Sequence, residues 1–241
     1  MSNAKIEFYG CGSPNVVKVH LFFKALGVPF NYHEVKWRDG EQYKPEFVKI
    51  NPNSKLPAIV DHDVAGGPIT VFESGNILLY LANKYGKFIP NVQTDLQGHT
   101  EVMNWLFWQM ANLGPIFGNW YHFSVYAPEK YQYSITRFTN ELSRLFHVLN
   151  RTLETRHFVA GNEYTIADMA IFPWARIYNF VPGCTKEEFP NLDAYITRIK
   201  QIKSVQEFEA YEAEQNAKNP RTEPTEEQRK NMFGVDGRNT K

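Results

Sequence analysis

Four short strand patterns and two apolar helices alternate through residues 5–85, and that order restricts the fold more than anything else in the chain. Lys5–Tyr9 reads as a strand that stops at Gly10-Cys11-Gly12. Asn15–Leu26 is an apolar-rich helix with Gly27 in the C′ position, where a left-handed residue ends a helix. Pro29–Val35 alternates as a second strand, followed by a polar loop at Lys36–Gln42 and a short helix around Pro45–Ile50. Leu56–Asp61 and Ile69–Phe72 are β-branched runs around Gly66-Gly67, a hairpin signature. Ser74–Tyr85 closes the unit as a helix with Ile77, Leu78, Leu81 and Tyr85 on one stripe.

The order βαβ then ββα is that of a thioredoxin-like domain, expected over residues 1–86, with Met1–Ala4 a short tail. After a linker at Gly86–Asp95 the strand signals mostly stop. Gln97–Asn112, Ala127–Glu154, Thr165–Phe180 and Pro190–Ile202 read as helices, giving an all-helical domain over residues 96–215. Thr165 with Asp168 three positions on is a capping-box start, a structural feature. From about Asn216 the chain is polar and charged, and residues 216–241 are expected to be a mobile tail or arm. The fold class expected is therefore an α/β thioredoxin-like N-terminal domain with an all-α C-terminal domain.

Lysine plus arginine number 26, as do aspartate plus glutamate, so no global charge draws the chain to nucleic acid or an anionic membrane. No apolar stretch approaches the length of a membrane helix. Cys11 and Cys184 cannot make a disulfide framework and no secretory signal precedes them, which points to a reducing cytoplasm. His, Cys and carboxylates show no metal-ligand spacing, so no metal is expected.

Three segments offer chemistry. Ser13-Pro14-Asn15 lies at the turn into the first helix, where unpaired N–H groups and the helix dipole favour an anion such as a thiolate; a simple N-cap is the other reading. Ser54-Lys55-Leu56-Pro57-Ala58 places a proline at the opening of a strand. A cis Leu56–Pro57 bond would turn the Leu56 backbone outward to pair with an extended peptide. Phe72-Glu73-Ser74-Gly75 sits at a strand-to-helix turn, where Glu73 and Ser74 suit the amine and carboxylate of an amino-acid-like ligand or else serve as a cap. Cys11 has no partner at C-x-x-C spacing and reads as a buried, inert thiol. Asn119–Tyr126 is expected to interrupt the helices with aromatic residues that can wall an apolar pocket, and His122 within it reads as a structural histidine or else a base.

Taken together, in this order and spacing, these segments resemble the bacterial nu-class glutathione transferases, a group related to the yeast nitrogen-regulator prion protein. Asn51-Pro52-Asn53, Leu78-Leu79-Tyr80-Leu81, Asn104-Trp105-Leu106-Phe107-Trp108, Arg137-Phe138 and Tyr164 to Ala170 extend the resemblance from Lys5 to about Ile202. It implies the glutathione-transferase fold, a homodimer and one or two bound glutathiones. Ser13 and Asn15 would lie beside the glutathione sulfur, Ser13 standing where the family usually has threonine. Leu56 would pair its backbone with the cysteinyl residue, with Pro57 in cis. Glu73 and Ser74 would hold the γ-glutamyl end, and Gln42 and Lys55 would reach the carboxylates. Arg137 would approach the thiol or a second glutathione. The activity implied is glutathione-dependent reduction of small or mixed disulfides. Conjugation of electrophiles, reduction of hydroperoxides and a non-catalytic regulatory role are the alternatives.

Overall fold

The computed structural model describes residues 4–220 and 222–233. The expectations for the first three residues and for the end of the tail lie outside them. The chain gathers into two compact units: residues to Tyr80 with those from Lys203 onward, and Leu81–Ile202.

In the first unit four strands, β1 (Ile6–Gly10), β2 (Asn31–Glu34), β3 (Ala58–Asp61) and β4 (Ile69–Phe72), form one sheet in the order β2-β1-β3-β4. β1 and β2 run parallel; β3 is antiparallel to both β1 and β4. This is the thioredoxin-like arrangement that the element order predicts. The parallel pair needs a crossover, supplied by α1 (Pro14–Leu26). Ser13 caps α1 by accepting from the Val16 N–H, and Gly27 ends it at φ 72° with its N–H on the Phe23 carbonyl. The short α2 (Pro45–Val48) and α3 (Ser74–Tyr85) complete the pattern.

Val16 to Phe23 are all buried, eight consecutive residues, so α1 is covered all round rather than on one stripe. The sheet takes one side, where Phe8 meets Phe23 at 5.4 Å between ring centroids. Another side packs against a helix from the far end of the chain, whose Phe208 ring lies 5.7 Å from the His20 ring. That helix spans Lys203–Lys218 and carries no apolar stripe in the sequence, because only Val205 and Phe208 of it are buried.

His20 sits among the rings of Phe8, Phe30, Tyr32, Phe208 and Tyr211, and its Nδ1 has no hydrogen-bond partner among the described residues. Burial, with a smaller push from Lys24, lowers its pKa from 6.5 to about 4. The ring is neutral in the folded chain, while the unfolded chain takes up a proton below 6.5. Stability is therefore lost as pH falls from 6.5 towards 4 and is unaffected above 6.5. Urea denaturation at pH 7 and pH 4.5 should show the parent losing about 2 kcal/mol more than His20→Leu does. Equal losses in the two proteins would contradict this.

The second unit is helical: α4 (Leu96–Trp108), α5 (Gly114–Tyr121), α6 (Gln132–Thr152), α7 (Ile166–Ala175) and α8 (Pro190–Lys200). The Lys203–Lys218 helix of the first unit is α9. The Asn119–Tyr126 stretch does not break the helices as expected. It continues α5 into a π-helical turn over His122–Tyr126, with the Ala127 N–H on the His122 carbonyl at 2.7 Å. α7 is buried along its whole length and is organised at its start by Asp168. Its Oδ1 accepts from the Val159 N–H and the Tyr195 hydroxyl, both at 3.0 Å. Its Oδ2 accepts from the Thr165 N–H at 2.9 Å and the Thr165 hydroxyl at 3.1 Å. No helix among the described residues is long and apolar enough to cross a membrane.

Candidate functional site

Register alone brings four of the predicted segments to one end of the sheet. Gly10 pairs with Glu34, Tyr9 with Ala58 and Ala58 with Phe72. The chain leaving β1 (Ser13, Asn15), leaving β2 (the loop to Gln42), entering β3 (Leu56, Pro57) and leaving β4 (Glu73, Ser74) therefore shares that end.

Each segment arrives in a definite conformation. Ser13 is extended, and its hydroxyl accepts from Val16 at 3.4 Å. Asn15 lies in the first turn of α1, half-buried. The Leu56–Pro57 bond is cis. Buried Asn51 builds the approach to it, donating from Nδ2 to the Lys55 carbonyl at 2.7 Å and accepting from the Asn53 N–H at 3.0 Å. The Leu56 side chain packs on a small core of Val35, Phe47 and Ala58. Among the described residues, neither the Leu56 N–H nor its C=O makes an internal hydrogen bond. A main-chain donor and acceptor left open beside a strand suit pairing with an extended peptide. Lys55 is exposed. Glu73 adopts φ 67°, a left-handed conformation uncommon outside glycine, and is exposed, while Ser74 behind it is buried.

Gln42 is placed differently from an open ligand contact. It is 4% exposed, beneath a helix α10 (Glu226–Phe233) in the stretch expected to be a mobile arm. Gln42 Nε2 donates to the Asn231 carbonyl at 3.4 Å, and its Oε1 is buried without a partner among the described residues. The Tyr43 hydroxyl donates to the same carbonyl at 3.0 Å, Asn231 Nδ2 to the Arg38 carbonyl at 3.1 Å, and Gln228 Nε2 to Asp39 Oδ1 at 3.1 Å. Arg38 Nη1 donates to the Thr222 carbonyl at 2.8 Å. This arm is held by polar contacts to the 38–43 loop.

Arg137 lies on α6 of the helical unit, more than half exposed, with its guanidinium 3.8 Å from Glu141. His122 lies in the π-helical turn, and burial lowers its pKa.

Neither protein thiol is prepared to react. Burial pushes Cys11 up to about 12, which a hydrogen bond with Ser13 only partly offsets. Burial and then Glu188 push Cys184 up to about 11. A nucleophilic thiol must ionise near neutral pH, and these do not.

Two positions have roles that the sequence did not assign: Asn51, quoted only as part of the resemblance, and Lys18. Asn51 shapes the loop before Leu56 from within the core. Lys18, 1% exposed inside the run Val16-Val17-Lys18-Val19, donates to Ser74 Oγ at 3.2 Å. A lysine in the middle of an apolar helical run was the available signal.

Comparisons with known proteins agree with this architecture. Residues 12–84 match the glutathione S-transferase N-terminal domain and residues 120–202 the glutathione S-transferase C-terminal domain. The chain is 41% identical over 175 residues to the disulfide-bond oxidoreductase YfcG of Escherichia coli, covering 72% of this chain and 80% of that one. It is 48% identical over 198 residues to the disulfide-bond oxidoreductase YghU of the same organism, covering 78% of this chain and 66% of that one. A glutathione transferase from Burkholderia graminis, solved with two glutathione molecules bound per subunit, superposes with a TM-score of 0.79 at 35% identity, covering 84% and 86% of the two chains. The chain belongs to the glutathione S-transferase family.

Proposed function

We propose that the protein is a glutathione-dependent disulfide-bond reductase in which the thiolate of bound glutathione is the nucleophile. One observation carries the reading: the open Leu56 backbone stands at the same sheet end as the N-terminus of α1, while both protein thiols are buried and held protonated. Two relatives named as disulfide-bond oxidoreductases support the reaction class.

Glutathione is a reductant substrate here. Leu56 pairs its main chain with the cysteinyl residue, Glu73 meets the α-ammonium and Ser74 the α-carboxylate of the γ-glutamyl end. Ser13 and Asn15 donate hydrogen bonds towards the sulfur, where the N-terminus of α1 adds favourable potential. A free thiol has a pKa of about 8.5, so even one or two such bonds raise the thiolate fraction at pH 7. The thiolate attacks one sulfur of the substrate disulfide; a new S–S bond forms and the leaving sulfur departs as a thiolate that takes a proton. A second glutathione thiolate then attacks the mixed disulfide, giving glutathione disulfide and the second substrate thiol. Two electrons pass from two glutathiones to one disulfide.

Lys55, exposed beside Leu56, is assigned to a carboxylate of the bound tripeptide, whereas Gln42, expected to share that role, is covered by α10 and is left out of it. Arg137 is assigned to the thiol or to a second glutathione, and a homodimer to the assembly, on the resemblance alone. The direct test is turnover of hydroxyethyl disulfide with glutathione, set beside chlorodinitrobenzene. Turnover of the first supports the reading; turnover of the second alone would replace it with electrophile conjugation, and binding without turnover of either with a regulatory role.

A further inference from the structure

Lys18 is 1% exposed, and a buried amine keeps its proton only where hydrogen bonds and charges meet it. Its Nζ lies 3.2 Å from Ser74 Oγ, and the neighbouring Glu73 carboxylate is the charge that favours its protonated form. An ammonium can only donate. While Lys18 is protonated, the Ser74 oxygen is therefore the acceptor at this contact, and the hydroxyl proton points to the side away from Lys18. A neutral amine would reverse this, accepting the Ser74 proton and leaving only a lone pair facing outward.

We propose that Lys18 is a positioning residue for the γ-glutamyl end of glutathione: its ammonium holds the Ser74 oxygen from beneath and aims the hydroxyl proton at the ligand's α-carboxylate. The inference rests on the glutathione reading above and deepens it. The three groups divide the work. Glu73 faces the α-ammonium, Ser74 the α-carboxylate, and Lys18 sets the direction of the Ser74 bond while neutralising the carboxylate's charge from inside the protein. Burial lowers the Lys18 pKa to about 7 in the free protein, so the side chain is partly neutral there just above neutral pH. A carboxylate at Ser74 selects the protonated form, and binding then takes up a proton.

S-methylglutathione is the probe of choice, because it has the γ-glutamyl end and no thiol to ionise. Calorimetry at pH 8 in buffers of different ionisation enthalpy should show uptake of about half a proton or more per bound ligand. In Lys18→Met that uptake should vanish. The preference for glutathione over cysteinylglycine as the thiol in hydroxyethyl disulfide reduction, taken as a ratio of kcat/KM, should fall about tenfold or more in this variant. A merely structural lysine would lower both thiols together and leave the ratio intact. Binding by the parent protein without proton uptake would overturn the role of Lys18 while leaving the glutathione site standing, and it requires no variant to fold. Absence of any S-methylglutathione binding to the parent protein would overturn the glutathione site and this inference with it.

Discussion

Replacing Asp168 by alanine should cost about 3–5 kcal/mol of stability, the largest effect expected of any single substitution outside the apolar core. The carboxylate is fully buried, and burial raises its pKa to about 6 against the pull of its hydrogen bonds. Those bonds explain why it is retained. It accepts from the Val159 and Thr165 N–H groups and from the Tyr195 and Thr165 hydroxyls, fixing the start of α7 to α8 and to the turn before it. Alanine leaves two buried amides and the buried Tyr195 hydroxyl without an acceptor, each a desolvation cost of about 1–3 kcal/mol that relaxation partly relieves. Asp168→Asn keeps the shape and one acceptor oxygen but turns an NH2 group towards donors, so about half the loss is expected. Urea denaturation followed by far-UV circular dichroism measures both. An alanine variant within about 1 kcal/mol of the parent would show that the network is not what holds α7.

The second large effect falls on the reaction. Asn15→Ala should lower kcat/KM for hydroxyethyl disulfide about 100-fold, the lower end of the range for removing a preorganised donor from a developing anion. Affinity for S-methylglutathione, which presents no thiolate, should stay within about threefold, because in the proposed binding mode Leu56, Glu73 and Ser74 supply most of the contacts. The pH dependence should move with it. Without the donor the bound thiol ionises at higher pH, so activity at pH 7 falls more than activity at pH 9. Ser13→Ala is a less clean test, since Ser13 also caps α1 and its loss costs about 1 kcal/mol of stability. A uniform loss at every pH, accompanied by an equal loss of S-methylglutathione binding, would assign Asn15 to ligand binding instead.

How much of this was legible beforehand follows from where each element gets its stability. β4 and α3 coincide with their predicted spans, Ile69–Phe72 and Ser74–Tyr85, because hydrophobic period and boundary residues agree there. Gly27 ends α1 in the predicted left-handed conformation for the same reason. α9 and α10 were not legible. Only Val205 and Phe208 are buried on the first, only Met232 on the second, and α10 is fastened through Gln228 and Asn231 to residues 189 and 193 positions earlier. No local pattern encodes such a partner. The aromatic stretch at Asn119–Tyr126 misled because a π-helical turn mixes the periods on which helix recognition depends. At the candidate site, the segments that share one sheet end carry turn chemistry in the sequence at Ser13, Pro57 and Ser74. Lys18 and Asn51 act from the buried side, and their neighbours, Ser74 and Lys55, come from elsewhere in the chain or depend on the fold of a loop.

The central claim is that the reacting sulfur belongs to the ligand and that the protein contributes position and potential. Cys11 and Cys184 are the only cysteines in the chain, both buried and both shifted upward by that burial. The measurement is the rate of glutathione-dependent hydroxyethyl disulfide reduction by the variant carrying Cys11→Ala and Cys184→Ala together, with its fold checked by circular dichroism. The account predicts kcat/KM within about threefold of the parent, the small loss reflecting only repacking at Cys11 beside Ser13. A folded double variant with no disulfide reduction would place the nucleophile on the protein and contradict the mechanism.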